Sequence, residues 1–503
     1  MNDAPRSVGR LRYRWWLALL GGAAASLGQA PFGLWPVSLV ALAFIIHLAQ
    51  SRPTRRSMAA ALWWVGTGYF LASLNWLVEP FMVDAARDGW MAPFAVVFMA
   101  GGLALFWGAA GAAAFRLGPF GLAATLSLAE LTRSLILTGF PWALIGHIWI
   151  GTPVAQLAAL GGPHLLTILA LLVAALPVAL RRPLPGFAAG VALTVLLIGA
   201  GWLRTTLVPI PETPANAPIV RLVQPNAPQD EKWDPMKSGT FFERQLTYTE
   251  AEPRPDLVVW PETAVPYFLE TAPGAIEVMA DAAAGIPVVF GIQRYEHPRY
   301  FNALALLNAE GEVGQVYDKA HLVPFGEYVP FADLLAKVGI HGLAANEGGG
   351  FSSGVAGSQV VLPGIGPALP LICYEGIFAE EVNATETRPR VLLLITNDAW
   401  FGKFSGPYQH VAQARLRAIE MGLPMIRVAN TGVSAMIDPH GNLIESLPLG
   451  EAGFLDVPLP EALPATPFDR FADWLAIGVI LATLALGLHH ARRNRVDAES
   501  PEP

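Results

Sequence analysis

Apolar stretches long enough to cross a bilayer crowd the first 210 residues of this chain. A membrane-spanning helix needs about 20 mostly apolar residues, because the hydrocarbon layer is about 30 Å thick and a helix rises about 1.5 Å per residue. Such stretches run roughly over 15–34, 36–50, 58–78, 90–115, 119–137, 153–180 and 184–203, and one more lies at 471–490. The stretch 36–50 is short and carries His47, while 153–180 is long enough to tilt or to begin as an interfacial segment. Charge divides the chain at the same place. Residues 1–210 hold 13 Arg, no Lys and 5 acids (Asp3, Glu79, Asp84, Asp88, Glu130), a net of +8. The 503 residues together carry −8, so residues 211–503 carry −16. That is the pattern of a membrane domain joined to a water-exposed one. With 53% hydrophobic and 14% charged residues, disorder is excluded and a single soluble globule is disfavoured.

The arginines set an expected orientation. Arg6, Arg10, Arg12 and Arg14 precede the first stretch, and Arg52, Arg55 and Arg56 follow the second. Arg116 follows the fourth, Arg181 and Arg182 the sixth, and Arg492, Arg493 and Arg495 the last. If the spans alternate, all fall on one side and only Arg87, Arg133 and Arg204 on the other. The positive-inside rule then places both termini in the cytoplasm and residues 205–470 outside it. The division expected is 1–210 as a membrane domain of about seven helices, 211–468 as an extracytoplasmic domain, and 469–503 as a last span with a cytoplasmic tail. Pro31 follows the small residues Gly28–Ala30 and disfavours cleavage there, so the first span is read as retained rather than as a signal peptide. Trp142 and Trp149 are expected at the membrane interface. Glu130 and Arg133 are helical neighbours expected to pair rather than to line a transport path.

The second part alternates short apolar runs with helical patterns. Ile219–Val223, Leu257–Trp260, Val288–Phe290 and Leu392–Ile395 read as strands buried on both faces, and 237–251, 275–284 and 407–421 as helices. This argues for an α/β or layered sandwich. Gly348-Gly349-Gly350 reads as a mobile loop without the strand-to-helix context of a phosphate cradle. No Lys/Arg-rich run suggests nucleic acid.

Three strand ends carry chemistry. Trp260-Pro261-Glu262 places a carboxylate where partial desolvation favours general-base use. Lys319 follows another strand within Tyr317–Glu327, and Cys373, the only cysteine, ends a third in Leu371–Glu375. A lone cysteine excludes an internal disulfide and a multi-thiolate metal site. Singly these residues read as a salt-bridged Glu, a surface Lys and a buried small hydrophobe. Together they supply a base, a cation for a developing oxyanion and a nucleophile. Glu327 and Glu375 are placed to hold Lys319 and tune its charge.

The ordered motifs Trp-Pro-Glu, Lys-x-His-Leu-Val-Pro-Phe-Gly-Glu-Tyr-Val-Pro and Cys-Tyr-Glu resemble the nitrilase (carbon–nitrogen hydrolase) superfamily. Val323–Pro330, Thr396–Gly402, Asn430–Gly432, Phe140-Pro141-Trp142 and Lys232-Trp233 narrow the resemblance to its membrane-embedded branch, the apolipoprotein N-acyltransferases. The resemblance implies an αββα sandwich on a helical membrane base, in the inner membrane, with the sandwich on the periplasmic side. It implies acyl transfer from a glycerophospholipid, typically phosphatidylethanolamine, to the α-amine of an S-diacylglyceryl cysteine on an apolipoprotein. Glu262, Lys319 and Cys373 would be the triad, with the Tyr374 N–H beside Lys319 at the oxyanion. No cofactor or metal is called for, and a monomer suffices. Trp233, Phe351 and Trp400 are expected near the acyl chain. A membrane-tethered amidase or nitrile hydrolase is the rival enzyme, though small soluble amides give no reason for eight spans. A non-enzymatic scaffold would tolerate loss of Cys373.

Overall fold

The structure is a computed structural model and describes residues 15–180, 183–330 and 350–499. The arginines before Trp15, Arg181 and Arg182, and Gly348 and Gly349 lie outside the described residues. The apolar stretches form α1 (Trp15–Ala25), α2 (Trp35–Gln50), α3 (Arg55–Ser73), α4 (Ala92–Ala113), α5 (Gly118–Leu135), α6 (Ala158–Ala179) and α7 (Pro183–Leu207). A further helix, Trp474–Glu499, ends the described chain. Among the described residues, four segments are long and apolar enough to cross a membrane: Ala85–Ala113, Pro153–Ala179, Leu184–Leu207 and Trp474–Arg493. α1 and α2 are apolar but shorter. The stretch expected to run over 15–34 breaks after Ala25 into the turn Ser26–Gly28. Pro31 there offers no N–H, and Gly33 sits at φ 63°, so the helix cannot continue. α6 does begin irregularly, as a turn over Pro153–Leu157, and it bends at Gly161-Gly162.

Small residues set the packing of the base. A Cβ on Gly68 would stand 1.9 Å from the Leu19 carbonyl oxygen, and one on Gly22 1.9 Å from that of Val65, so α1 and α3 touch backbone to backbone. Glu130 and Arg133 do pair, at 2.9 Å with both side chains fully buried. Arg133 also donates to the carbonyls of Phe140 and Trp142, the latter at 2.9 Å, and fixes the loop after α5. Trp142 and Trp149 are not interfacial. Both are fully buried, because that loop folds inward between the base and the sandwich.

The sandwich holds two six-stranded sheets. The first contains β1 (Ile219–Gln224), β2 (Leu257–Val259), β3 (Val288–Glu296), β4 (Arg299–Leu307) and β5 (Val313–Asp318). The second contains β6 (Val360–Leu362), β7 (Gly366–Ile372), β8 (Val391–Thr396), β9 (Met425–Ala429), β10 (Ser434–Ile437) and β11 (Leu443–Leu447). The last strand, β12 (Gly453–Pro458), returns to pair with β1, giving the orders β12-β1-β2-β3-β4-β5 and β11-β10-β9-β8-β7-β6. Each sheet has three parallel strands, β1-β2-β3 or β7-β8-β9, flanked by antiparallel ones. Inner faces meet through residues such as Val220, Val259 and Leu304 against Ile372, Leu393 and Ile426. Helices α8 (Ser238–Glu250) and α9 (Pro273–Ala283) cover the first sheet, and α10 (Gly406–Met421) covers the second. α10 also faces the base. Its Gln409 accepts from Trp142 Nε1 at 2.7 Å and donates to the carbonyls of Ser73 at 3.0 Å and Ala30 at 3.2 Å.

Candidate active site

Glu262, Lys319 and Cys373 all follow the ends of strands, β2, β5 and β7, that point the same way. In such sheets functional groups gather beyond the carboxyl ends. Cys373 leaves β7 in a left-handed conformation, φ 52°, and opens the short turn Cys373–Ile377. That conformation is rare outside glycine and ends the strand abruptly, leaving the thiol at its tip. Thr263, next to Glu262, also has a left-handed φ of 47°. Lys319 is anchored by its own N–H, which donates to Asn302 O at 2.8 Å.

The three side chains are buried together. Lys319 Nζ lies 3.9 Å from Glu262 Oε1 and 2.9 Å from both Glu327 oxygens. Burial acts to lower Lys319, but Glu327, Glu262 and Cys373 outweigh it and raise it above the ordinary lysine value, so the ammonium stays charged. Burial and then Glu262 push the Cys373 thiol up, while Lys319 and a hydrogen bond with Thr396 act the other way. Glu262 Oε1 accepts from Asn302 Nδ2 at 2.7 Å, and its buried Oε2 has no hydrogen bond among the described residues.

The supporting residues divide the work differently from expectation. Glu327 binds Lys319 directly, accepts from Asn302 Nδ2 at 3.0 Å and from Val323 N–H at 2.8 Å. Glu375 does not bind the Lys319 ammonium. Its Oε1 accepts from Tyr317 Oη at 2.8 Å and from the N–H groups of Ala320 at 2.7 Å and His321 at 3.1 Å. Its Oε2 accepts from Ile372 N–H at 2.6 Å. Glu375 thus ties the backbone after Lys319 to the strand before Cys373. Burial pushes it up to about 7 against the pull of these donors. Tyr374 packs on His321 and Phe378. The Phe351 N–H donates to Glu327 O at 2.8 Å, Trp400 is half-buried, and Trp233 is exposed with Lys232 Nζ 5.7 Å from its ring.

Two site residues carry no role in the sequence reading. Lys232 is buried and donates to Glu262 O at 3.0 Å and Thr263 Oγ1 at 2.6 Å. Burial pulls its ammonium down to about 8. Its rarity is the available signal, since the chain has only five lysines. Asn302 is legible only as the one amide in the run Phe301–Leu307.

Residues 21–176 match the family model described as "Apolipoprotein N-acyltransferase N-terminal domain", and residues 220–464 match "Carbon-nitrogen hydrolase". A protein of Sinorhizobium fredii named apolipoprotein N-acyltransferase is 39% identical over 483 residues, covering 90% of this chain and 91% of that one. A Caulobacter vibrioides protein of the same name is 38% identical, covering 94% of each chain. The chain belongs to the apolipoprotein N-acyltransferase family. It is thereby an acyltransferase of lipoprotein biosynthesis within the nitrilase superfamily, and its helical part is that family's N-terminal domain. Among solved structures, an amidase from Nesterenkonia sp. is similar at 21% identity and TM-score 0.36, covering 50% of this chain and 94% of that one.

Proposed function

We propose that this protein moves an acyl chain from a glycerophospholipid, phosphatidylethanolamine in the first instance, to the α-amine of the N-terminal S-diacylglyceryl cysteine of an apolipoprotein, through a thioester on Cys373. The observation that carries the reading is the burial, at three neighbouring strand ends, of the Cys373 thiol, the Lys319 ammonium and a Glu262 carboxylate with one oxygen unpartnered among the described residues. Glu262 takes the thiol proton as Sγ attacks the ester carbonyl. Lys319 and the Tyr374 N–H stabilise the oxyanion. The intermediate collapses, Glu262 returns the proton to the lysophospholipid alkoxide, and the acyl chain stays on Sγ. The lipoprotein amine then attacks the thioester, Glu262 accepts its proton and passes it to Sγ as the carbon–sulfur bond breaks, and the amide forms with the thiol restored.

Both substrates are anchored in lipid, which explains a membrane base. The proposed arrangement has eight spans, both termini in the cytoplasm and the sandwich outside the inner membrane. Its parts are 1–210, 211–468 and 469–503. Trp233, Phe351 and Trp400 would line the approach of the acyl chain, and one copy of the chain suffices.

The test is intact mass of the detergent-purified protein after incubation with phosphatidylethanolamine, beside Cys373→Ala. One acyl chain on the wild type alone, lost on adding a diacylglyceryl-cysteine peptide, supports the reading. If no adduct forms and the peptide stays unacylated, the lipid donor is wrong and small amides become the next substrates.

A further inference from the structure

A second set of buried charges lies against the nucleophile and has no part in the steps above. Asp398, His410 and Arg427 are fully buried. Asp398 Oδ2 accepts from Arg427 Nη2 at 2.8 Å. Asp398 Oδ1 accepts from Thr396 Oγ1 at 3.0 Å and meets His410 Nδ1 at 2.8 Å. The other ring nitrogen, His410 Nε2, lies 3.2 Å from the carbonyl oxygen of Cys373. The set comes from the end of β8, from α10 and from β9, and it ends on the backbone of the residue held at φ 52°.

The hydrogen count follows from the partners. Burial works to raise Asp398, but Arg427 and His410 outweigh it and hold the carboxyl at about 2, so Asp398 is an acceptor at both oxygens. A backbone carbonyl is also only an acceptor. The hydrogen between His410 Nε2 and the Cys373 carbonyl therefore belongs to the ring nitrogen. His410 Nδ1 sits between Asp398 Oδ1 and Arg427 Nη2, the latter at 3.2 Å. The charge of Asp398 itself acts to raise the Cys373 thiol. The remaining faces of the ring meet Trp142, at 5.7 Å between centroids, and Phe401, at 5.5 Å. Trp142 comes from the loop after α5, so the base closes one wall of this support.

We propose that His410 is a positioning residue for Cys373: its Nε2–H holds the Cys373 carbonyl and with it the left-handed backbone that presents the thiol. The proposal deepens the acyl-transfer reading and rests on it only for the lipid readout.

The test uses the full chain in detergent and three variants. In His410→Gln the amide nitrogen can reach the Nε2 position and return the bond to Cys373. In His410→Asn it can reach only the Nδ1 position, towards Asp398. Trp142→Phe keeps His410 and alters its cover. Alkylation of Cys373 by iodoacetamide is followed against pH, and acyl-enzyme formation from phosphatidylethanolamine is followed by mass. In His410→Asn, acylation is expected to be about tenfold slower with the lipid KM unchanged and alkylation of Cys373 slowed alike, and His410→Gln recovers most of both. Trp142→Phe slows both by less, and decides the matter if neither His410 variant folds. Rates in His410→Asn that overlay the wild type overturn the proposal, and so does a His410→Gln no faster than His410→Asn. If no protein is acylated, including the wild type, the lipid-donor reading fails while the alkylation profiles still decide on His410.

Discussion

Glu375 offers a stability test whose magnitude can be counted. Its two oxygens take four donors: Tyr317 Oη, the N–H groups of Ala320 and His321, and the N–H of Ile372. A buried donor left unpaired costs about 1–3 kcal/mol. Glu375→Ala orphans all four, about 4–12 kcal/mol in sum, against a total stability of about 5–15 kcal/mol for a domain. Glu375→Gln keeps one oxygen for the three donors at Oε1 and turns an NH2 towards Ile372 N–H. It loses one bond, about 1–3 kcal/mol. The assay is built into the chain, because Cys373 is its single thiol and is buried. A thiol-reactive fluorophore read during a thermal ramp reports opening at Cys373 itself. The Gln variant is expected to open a few degrees below wild type, and the Ala variant to react at ambient temperature or fail to accumulate. If the two open at the same temperature, the four bonds are not what holds these strand ends together.

Glu375 also gives a pH dependence. Its folded pKa of about 7 lies above the ordinary value of 4.5, so the folded state binds more protons between the two. Its contribution to stability therefore falls as pH rises from about 4.5 to about 7, and the fall is absent from the melting profile of Glu375→Gln. Lys232 has the opposite sign. Its folded value of about 8 lies below 10.5, so stability rises with pH across that window, and Lys232→Met abolishes the rise. The same variant, stripped of its bonds to Glu262 O and Thr263 Oγ1, is expected to form acyl-enzyme about tenfold more slowly in the mass assay. Gly291→Ala should act through crowding alone. Its Cβ would stand 2.4 Å from Thr263 N and 2.6 Å from Glu262 Cα, so the loop bearing Glu262 must shift. A stably folded Gly291→Ala with unchanged acylation would show that the position of Glu262 is not critical.

The sequence was most legible where one element settled its own environment. Runs such as Leu392–Ile395 announce strands because four consecutive apolar residues can be buried only in a layer covered on both sides. Glu262 and Cys373 stood out because each ends such a run, and Lys319 and Cys373 because Lys and Cys are scarce here. Residues whose meaning depends on distant partners were not legible. Asn302 matters because Glu262 and Glu327 fold over it, and His410 because Asp398, Cys373 and Trp142 surround it from three other segments. Trp142 was read as interfacial from its place near a helix end, and nothing local signals that Gln409 claims its indole N–H. The break after Ala25 was hidden inside an unbroken apolar run that hydropathy treats as one piece.

α10 has 14 of its 16 residues buried, so it is gripped from the sheet side and the base side alike. A helix held that way ties the sandwich to the base on both of its sides. Under the proposed reaction the strand tips would then keep one standoff over the bilayer, with Cys373 at a set altitude. Each ester or amine would have to be hoisted out of the leaflet to meet the thiol, and turnover would be set by that climb.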